Sequence, residues 1–483
     1  MKATPTARLS PLVLFVVTLS GVLFFPYRPG LAQAEPDSTN HLLWRIEAPG
    51  ATRPSYLYGT MHSKQKEVFG FSKTVSEALL SCDAFAAELE LNAEALVQAQ
   101  HIAYLPQGEK LTDYLTPREY DSLRTVLRQA WGEKGPDVIH FRPFFLMVYL
   151  DQYGVIEGDM PLFLDQYLYE LARGRGLQTH GLESVQEQMQ ALQLAETAQQ
   201  ARQLMAFVRK RLKEGGKDKA QDELYRYYLA QDLAAIGETL QQPQQGLQLD
   251  ERLLESLLKR RNHLMTHRID SLIQRGSLFA AIGAAHLPGP GGVIALLRAR
   301  GYTVRPVPFI FDHKGYIPLK EGNETAAGWE AYEPQDHSFR AYFPGQATTM
   351  ERTHEGVEMT LALYTELASS RIYSVSYAPQ AAEGQDALDF SALNKRLNEN
   401  LAARQAQLVS SKPFSAYGLQ GLEAQALMDN LMRFKMDLRI FTHNKRVFTL
   451  MVVQPEADYD PGLASRFFHR FALLRGNADG QQR

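Results

Sequence analysis

Two histidines in this chain of 483 residues share one local setting, with a glycine three positions before each imidazole. Gly59 precedes His62 and Gly283 precedes His286, and both pairs follow short apolar segments that are typical of buried strands. In an open α/β sheet the carboxyl ends of the strands border the ligand crevice, and glycine permits a sharp exit from a strand. The pattern favours a crevice in which both imidazoles bind a metal or transfer protons. The structural alternative is a hydrogen-bonded histidine at each strand end.

Carboxylates accompany two further predicted strands, residues 83–91 and 177–182. Alternation along the first strand places Glu88 and Glu90 on one face, where they can raise each other's pKa or supply a metal ligand. The alternative is a strand end that emerges into water. Glu183 directly follows the second strand and is a comparable candidate, although an acidic residue before a helix also explains it.

A long amphipathic helix is predicted over residues 250–275. His263 and His267 have the spacing of a helical metal pair, but they fall on the face opposite the leucine stripe, which indicates solvated surface. Arg261 instead lies inside the apolar stripe, where a charge is costly unless it is paired. We expect it to pair with a carboxylate of the crevice; the alternative is an arginine whose head reaches water along the edge of the core.

Composition and missing motifs exclude several classes of protein. With 51 basic and 54 acidic residues and no basic block, nothing indicates a nucleic-acid partner. Cys82 is the single cysteine, so neither an intramolecular disulfide nor a thiolate metal site is expected. The glycine-rich loop at 288–292 contains two prolines, which cannot donate backbone hydrogen bonds to a phosphate. The chain also lacks the Gly-x-Ser-x-Gly motif of serine hydrolases.

The N-terminus has the pattern of an export signal. Lys2 and Arg8 precede an apolar run over residues 11–25, and Ala32 and Ala34 supply the small residues that signal peptidase reads. We therefore expect a signal peptide over residues 1–34 and a periplasmic or extracellular protein. An uncleaved signal that anchors the chain is the alternative. No second apolar run of spanning length follows, so no transmembrane span is expected after cleavage.

Strands that alternate with helices, among them an apolar strand over 278–283, predict an α/β domain over residues 35–312, with a mixed sheet, flanking helices and a large helical insert at about 184–245. A polar, glycine-containing stretch at 313–327 is the predicted linker. An α+β domain with an antiparallel sheet is then predicted over 328–483, with a helix over about 388–404, a last helix from about residue 461, and strands over 339–343, 350–353, 357–367, 373–377, 422–428, 432–442 and 446–454.

The ordered motifs resemble those of the TraB/PrgY/GumN family, which includes the Tiki-type metalloproteases. The resemblance covers about residues 42–307 and rests on segments 57–62, 86–90, 181–183, 187–188, 261–262 and 283–289, together with residue 265. It implies a fold of the kind also seen in erythromycin-esterase-like and ChaN-like proteins. It also implies that His62, His286 and Glu88 serve metal-dependent peptide cleavage, and that Asn262 joins Glu183 and Arg261 in the pocket. Glu90 departs from the family, where relatives often carry aspartate.

These observations lead to three functional hypotheses. The first is an exported hydrolase that cleaves peptides with a divalent ion, for which nitrogen and oxygen ligands suit Zn, Mn, Co or Fe. In it Glu88 is a metal ligand or the base to the activated water, and Arg261 orients an acidic partner or the oxyanion. The second is a non-catalytic protein that binds a peptide pheromone or haem in the same crevice. The third assigns the activity to the C-terminal domain, which would dock a protein partner.

Overall fold

The computed structural model describes residues 40–91, 103–106, 108–131, 138–151, 160–192, 196–214, 219–241, 255–319, 328–354, 357–367, 369–379, 390–402, 406–416, 419–429 and 433–474. The predicted signal peptide lies outside these residues. They form two compact units, one of residues up to 319 and one of residues from 328 onward. In the described part of the chain, no helix is both long and apolar enough to span a membrane.

The first unit is built on a six-stranded mixed sheet. Its strands are β1 (Leu43–Glu47), β2 (Ser55–Thr60), β3 (Ala84–Leu89), β4 (Gln178–Glu183), β5 (Leu278–Gly283) and β6 (Thr303–Pro306). The spatial order is β4-β3-β5-β2-β1-β6. The strands from β4 to β2 are parallel neighbours, whereas β1 runs antiparallel to both β2 and β6. The central strand β5 is apolar and buried from Leu278 to Ile282, as expected for a strand that is covered on both faces.

Helices and short helical turns surround this sheet. The α-helices are α1 (Lys73–Leu80), α2 (Pro117–Trp131), α3 (Pro143–Asp151), α4 (Leu164–Gly174), α5 (Val185–Leu192), α6 (Thr197–Glu214), α7 (Lys219–Leu229), α8 (Leu233–Gln241), α9 (Arg261–Ile273) and α10 (Val293–Ala299). Helices α5 to α8 form the predicted insert. The Tyr228 hydroxyl in α7 donates to the Gly59 carbonyl at 3.0 Å and so ties the insert to the end of β2.

The helix predicted over 250–275 differs from a regular α-helix at its start. Residues Glu255–Arg260 form a π-helical turn, and α9 continues from Arg261. Such turns are rare in proteins, and those that occur often lie at functional sites. Arg261 is therefore the first residue after an irregular turn.

The first residues of the predicted linker pack against the first unit. The Gly315 amide donates to the Phe71 carbonyl at 3.0 Å, and the Ile317 amide donates to the Tyr167 hydroxyl at 2.9 Å. A Cβ on Gly315 would lie 2.0 Å from the Ser72 carbonyl oxygen, so only glycine fits there. The described chain thus stays bound to this unit as far as residue 317.

The second unit contains a seven-stranded antiparallel sheet. Its strand order is β12-β13-β14-β15-β11-β10-β9, and a smaller sheet has the order β16-β8-β7. The elements are β7 (Glu330–Tyr332), β8 (Phe339–Phe343), β9 (Thr348–His354), β10 (Val357–Glu366), β11 (Arg371–Pro379), α11 (Phe390–Ala402), β12 (Ala406–Ala416), β13 (Leu419–Asp429), β14 (Arg433–His443), β15 (Arg446–Pro455), α12 (Pro461–Phe468) and β16 (Ala472–Leu473). Helices α11 and α12 each contribute to a separate apolar core. The predicted fold class is confirmed in both units.

One long strand of this sheet was absent from the sequence prediction. Strand β12 contains Pro413, which lacks a backbone donor and ordinarily argues against a strand. Because β12 is an edge strand, the missing donor leaves no gap between two strands of the sheet.

Candidate functional site

Four neighbouring strand ends of the first unit carry the predicted site residues. Strands β4, β3, β5 and β2 are parallel neighbours, so their carboxyl ends share one edge of the sheet. Glu183 ends β4, and Glu88 lies one residue before the end of β3. Gly283 ends β5 three residues before His286, and His62 follows β2 by two residues. The parallel topology therefore gathers side chains that are far apart in the sequence.

Arg261 joins two of these strands in a buried ion cluster. Its Nη2 donates to Glu88 Oε2 and to Glu183 Oε2, each at 2.7 Å. Its Nε donates to the Glu183 oxygens Oε1 and Oε2 at 3.0 and 2.9 Å. All three side chains are buried. The arginine thus pairs with crevice carboxylates, as its place in the apolar stripe predicted, and its guanidinium geometry matches the bidentate acceptor.

Glu88 is held from two sides. Its Oε1 accepts a hydrogen bond of 2.7 Å from the Gly283 amide, while its Oε2 accepts from Arg261. Burial raises the pKa of Glu88 to about 7, against the lowering effect of Arg261, and the neighbouring charge of Glu183 raises it further. The neighbouring carboxylate that raises the pKa of Glu88 is therefore that of Glu183, on the adjacent strand β4.

The imidazole of His286 has a defined tautomer. Asn262 Nδ2 donates to the Gly291 carbonyl at 2.8 Å, which turns Asn262 Oδ1 towards His286 Nδ1 at 2.6 Å. Because an amide oxygen only accepts, His286 Nδ1 carries the proton and Nε2 keeps its lone pair. That Nε2 lies 3.8 Å from Glu88 Oε1. Burial, together with the charge of Arg261, holds the pKa of His286 well below its usual value, so the ring is neutral.

His62 is oriented in the same way by different partners. Its Nδ1 lies 3.0 and 3.2 Å from the two carboxylate oxygens of Asp165, and its ring stacks on Phe163 with 3.8 Å between the centroids. A carboxylate accepts a proton from Nδ1, and in the neutral ring of this tautomer Nε2 is the acceptor atom. Nε2 is buried and has no hydrogen-bond partner among the described residues. Phe163 and Asp165 flank the start of α4, and no spacing in the sequence connects them to His62.

A small pocket lies beside the carboxyl end of β3. It is bordered by polar groups of Thr60, Glu88 and Asp165, and its apolar wall consists of Ala87, Leu89, Leu91 and Ala281. Its lining therefore joins the carboxylate of the ion cluster to the carboxylate that orients His62.

Lys64 is a further buried cation that the sequence analysis did not single out. It lies two residues after His62, and its Nζ is 5.4 Å from the centroid of the Phe163 ring that His62 also contacts. Burial lowers the pKa of Lys64 to about 8. A lysine in a polar loop is ordinarily expected to be exposed, so only the packing identifies it.

The other predicted residues have different environments. A Cβ on Gly59 would lie 3.2 Å from Ala284 and Leu287, so glycine lets the ends of β2 and β5 pack closely. Glu90 follows the end of β3 and is partly exposed. His263 and His267 are both exposed, as the helical pattern predicted.

The donor atoms of this site are of the types that bind a metal ion, but they are not close enough together to bind one in this structure. In both histidines an acceptor fixes Nδ1 as the donor and leaves Nε2 free, which is the usual arrangement around metal-binding imidazoles. The orphaned Nε2 of His62 is buried, as a ligand atom in a closed site would be. Within the part of the chain that the structure describes, no three His, Cys, Asp or Glu side chains are gathered closely enough to hold a metal.

Comparison with known proteins identifies the family of the first unit. Residues 42–306 match the TraB/PrgY/gumN family over more than half of the chain, and the protein belongs to that family. The match covers all six strands of the mixed sheet and every residue of the ion cluster.

Curated relatives are named as metalloproteases. Metalloprotease TIKI1 of Danio rerio is 25% identical over 346 residues, which cover 62% of this chain and 67% of the relative. Metalloprotease TIKI1 of Homo sapiens is 26% identical, over 58% of this chain and 65% of the relative. This chain therefore spans about two thirds of the length of these relatives. Among solved structures, cyanobacterial PsbP from Synechocystis has 12% identity, covers 32% of this chain and reaches a TM-score of only 0.26.

Proposed function

We propose that this protein is an exported, divalent-metal-dependent hydrolase that cleaves peptides. The observation that carries the proposal is the matched orientation of His62 and His286, whose Nδ1 atoms are engaged by Asp165 and Asn262. The two imidazoles and the buried carboxylate of Glu88, which lies 3.8 Å from His286 Nε2, are of the donor types that suit a divalent ion. The metalloprotease names of the family members support the same reaction class.

His62 and His286 would hold the ion through Nε2, with Glu88 as the adjacent carboxylate. Nitrogen and oxygen donors without a thiolate suit Zn, Mn, Co or Fe. When bound, such an ion polarises a peptide carbonyl and lowers the pKa of water. The remaining chemistry belongs to the side chains of the protein.

Arg261 positions the acidic groups of the site. Its Nε and Nη2 donate to Glu88 and Glu183, which supports the role of orienting these carboxylates over the role of orienting an oxyanion. Gly283 adds a backbone donor that holds Glu88 Oε1 near His286 Nε2. Glu88 then serves as a ligand or as the base that takes a proton from the attacking water.

The proposal extends to location. The basic residues and the apolar run at the N-terminus support export to the periplasm or the extracellular space, with an uncleaved membrane anchor as the alternative. N-terminal sequencing of the protein recovered from its producing cells tests this: a first residue at about 35 is expected, and a retained Met1 refutes cleavage.

Elemental analysis tests the metal site. The purified protein is exposed to Zn, Mn, Co and Fe(II) salts, desalted and analysed beside the double variants His62→Ala/His286→Ala and His263→Ala/His267→Ala. The second variant is the matched control, since it removes two exposed histidines from the same unit. About one metal per chain is expected in the wild type and the control, and none in the crevice variant.

A hydrolysis assay completes the test of the proposed function. The same three proteins are assayed for hydrolysis of a fluorogenic peptide library with and without chelator. Metal-dependent cleavage that is lost only in the crevice variant supports the proposal. Equal metal content in all three proteins, or cleavage that survives in a folded His62→Ala variant, overturns the assignment.

A ligand-binding function without catalysis is the second candidate. It is favoured by the spacing of the site, because the described residues gather no three metal ligands. In that case His62 and His286 would contact haem or a peptide pheromone directly. A visible absorption band on haem titration, lost in His286→Ala, supports this candidate against hydrolysis. The C-terminal unit as a docking module for a protein partner remains a prediction from the sequence.

A further inference from the structure

Lys64 is a buried ammonium without a carboxylate partner among the described residues. Its side chain and backbone together are 2% exposed, and the contact that its Nζ makes is with the Phe163 ring at 5.4 Å. Arg261, which is also buried, contrasts with it, because Arg261 pairs with two glutamates. Lys64 is therefore desolvated without the pairing that the fold provides for Arg261.

This arrangement costs stability. Removing an ammonium from water is unfavourable unless an anion or several acceptors replace the water, and a contact with an aromatic ring restores only part of the loss. Buried charges without partners are therefore expected where a ligand supplies the missing charge. The ligand expected at Lys64 carries an anionic group.

Lys64 lies close to the proposed catalytic histidine. The Phe163 centroid is 3.8 Å from the His62 ring and 5.4 Å from Lys64 Nζ, so the ammonium is at most 9.2 Å from the imidazole centre. An extended peptide advances about 3.3–3.6 Å per residue. A carboxylate within roughly two residues of a bond held at His62 can therefore reach Lys64.

We infer that Lys64 is the binding site for a carboxylate of the ligand. For a peptide ligand this inference rests on the proposed function, and it makes the substrate a peptide with a carboxylate close to the cleaved bond. The carboxylate is either the C-terminal α-carboxylate or the side chain of an Asp or Glu close to the cleaved bond. In both cases Lys64 binds and positions the ligand, and it takes no part in bond cleavage.

The first test needs no turnover. Thermal unfolding is followed in propionate and in propionamide at one ionic strength, for the wild type, Lys64→Met and Lys66→Met. Lys66 is an exposed lysine two residues away and is the matched control. Propionate at about 0.1 M is expected to raise the melting temperature of the wild type and of Lys66→Met by about 2–4 °C relative to propionamide. Lys64→Met should show no such difference.

Two outcomes of this test overturn the inference: an equal effect of propionate and propionamide on the wild type, or a propionate shift that persists in Lys64→Met. Lys64→Met should be at least as stable as the wild type without additives, because an apolar chain replaces a buried charge. A loss of stability in this variant would show a structural role for Lys64 instead. Lys64→Arg should retain the response to propionate.

The second test identifies the source of the carboxylate. Four N-acetylated alanine hexapeptides are compared, one with a free C-terminus, one with a C-terminal amide, and two amidated peptides with a single internal glutamate or glutamine. Binding of the preferred carboxylate peptide should be about 10–100-fold tighter than that of its neutral counterpart, and Lys64→Met should abolish the difference. If, in both pairs, the wild type binds the carboxylate peptide and its neutral counterpart with equal affinity, the peptide assignment is wrong. Preferential binding that Lys64→Met abolishes supports the role of Lys64 even when the library assay of the proposed function shows no metal-dependent cleavage, so the two proposals fail separately.

Discussion

Replacing Arg261 by methionine leaves Glu88 and Glu183 buried without their shared cation. The wild-type arginine makes four hydrogen bonds of 2.7–3.0 Å to these two carboxylates. Removing one member of a buried ion pair costs about 3–5 kcal/mol, because the remaining charge stays desolvated. We predict that Arg261→Met lowers the free energy of unfolding by about 4 kcal/mol at pH 8.

The loss should depend on pH. Without Arg261, burial and the neighbouring charge of Glu183 raise the folded-state pKa of Glu88 further above the unfolded value of about 4.3. The folded variant then binds more protons than the unfolded chain between these pKa values, so its stability falls as the pH rises through that window. At pH 5 the Glu88 carboxylate can be protonated in the folded variant, and we expect the difference from the wild type to shrink to about half.

Scanning calorimetry at pH 5 and pH 8 measures the stability difference between Arg261→Met and the wild type. Because a protein of two units need not unfold in one step, the transition of the first unit is followed separately. Arg268→Met is the matched control on the same helix. Its pair with Glu187 is about one third exposed, so a loss below about 1 kcal/mol is expected. The triple variant Arg261→Met/Glu88→Gln/Glu183→Gln should recover most of the stability. A pH-independent loss, or one no larger than that of Arg268→Met, would refute the reasoning.

Two further predictions concern the elements that hold the site. Tyr228→Phe removes the 3.0 Å hydrogen bond to the Gly59 carbonyl and should lower the free energy of unfolding by about 1–2 kcal/mol, measured by denaturant titration. An unchanged free energy of unfolding would mean that this hydrogen bond makes no net contribution to stability. Gly181→Ala places a Cβ 2.6 Å from the backbone nitrogen of Glu90 and should lower the melting temperature, whereas Gly174→Ala, with no atom within 4 Å, should not. Similar melting temperatures for the two alanine variants would contradict the close packing of β3 against β4.

Several strands of the fold could be predicted from the sequence because their signals are local. Strand β5 and strand β8 have the predicted bounds, since a short apolar run or an alternating run between turn residues defines each one. The exposed His263 and His267 and the buried Arg261 follow from helical periodicity alone. Strand β12 escaped prediction because Pro413 is acceptable only at a sheet edge, and neighbouring strands decide which strand is an edge.

The candidate site likewise has residues that could be predicted from the sequence and contacts that could not. Its histidines and glutamates could be named from their positions after predicted strands, and the family could be recognised from their order. Their partners could not, because the pairing of His62 with Asp165 joins positions 103 residues apart. The burial of Lys64 is likewise absent from any local pattern. The sequence by itself determined which side chains end the strands. Only the tertiary structure decided their partners and desolvation, because both depend on which elements the sheet order β4-β3-β5-β2 brings together.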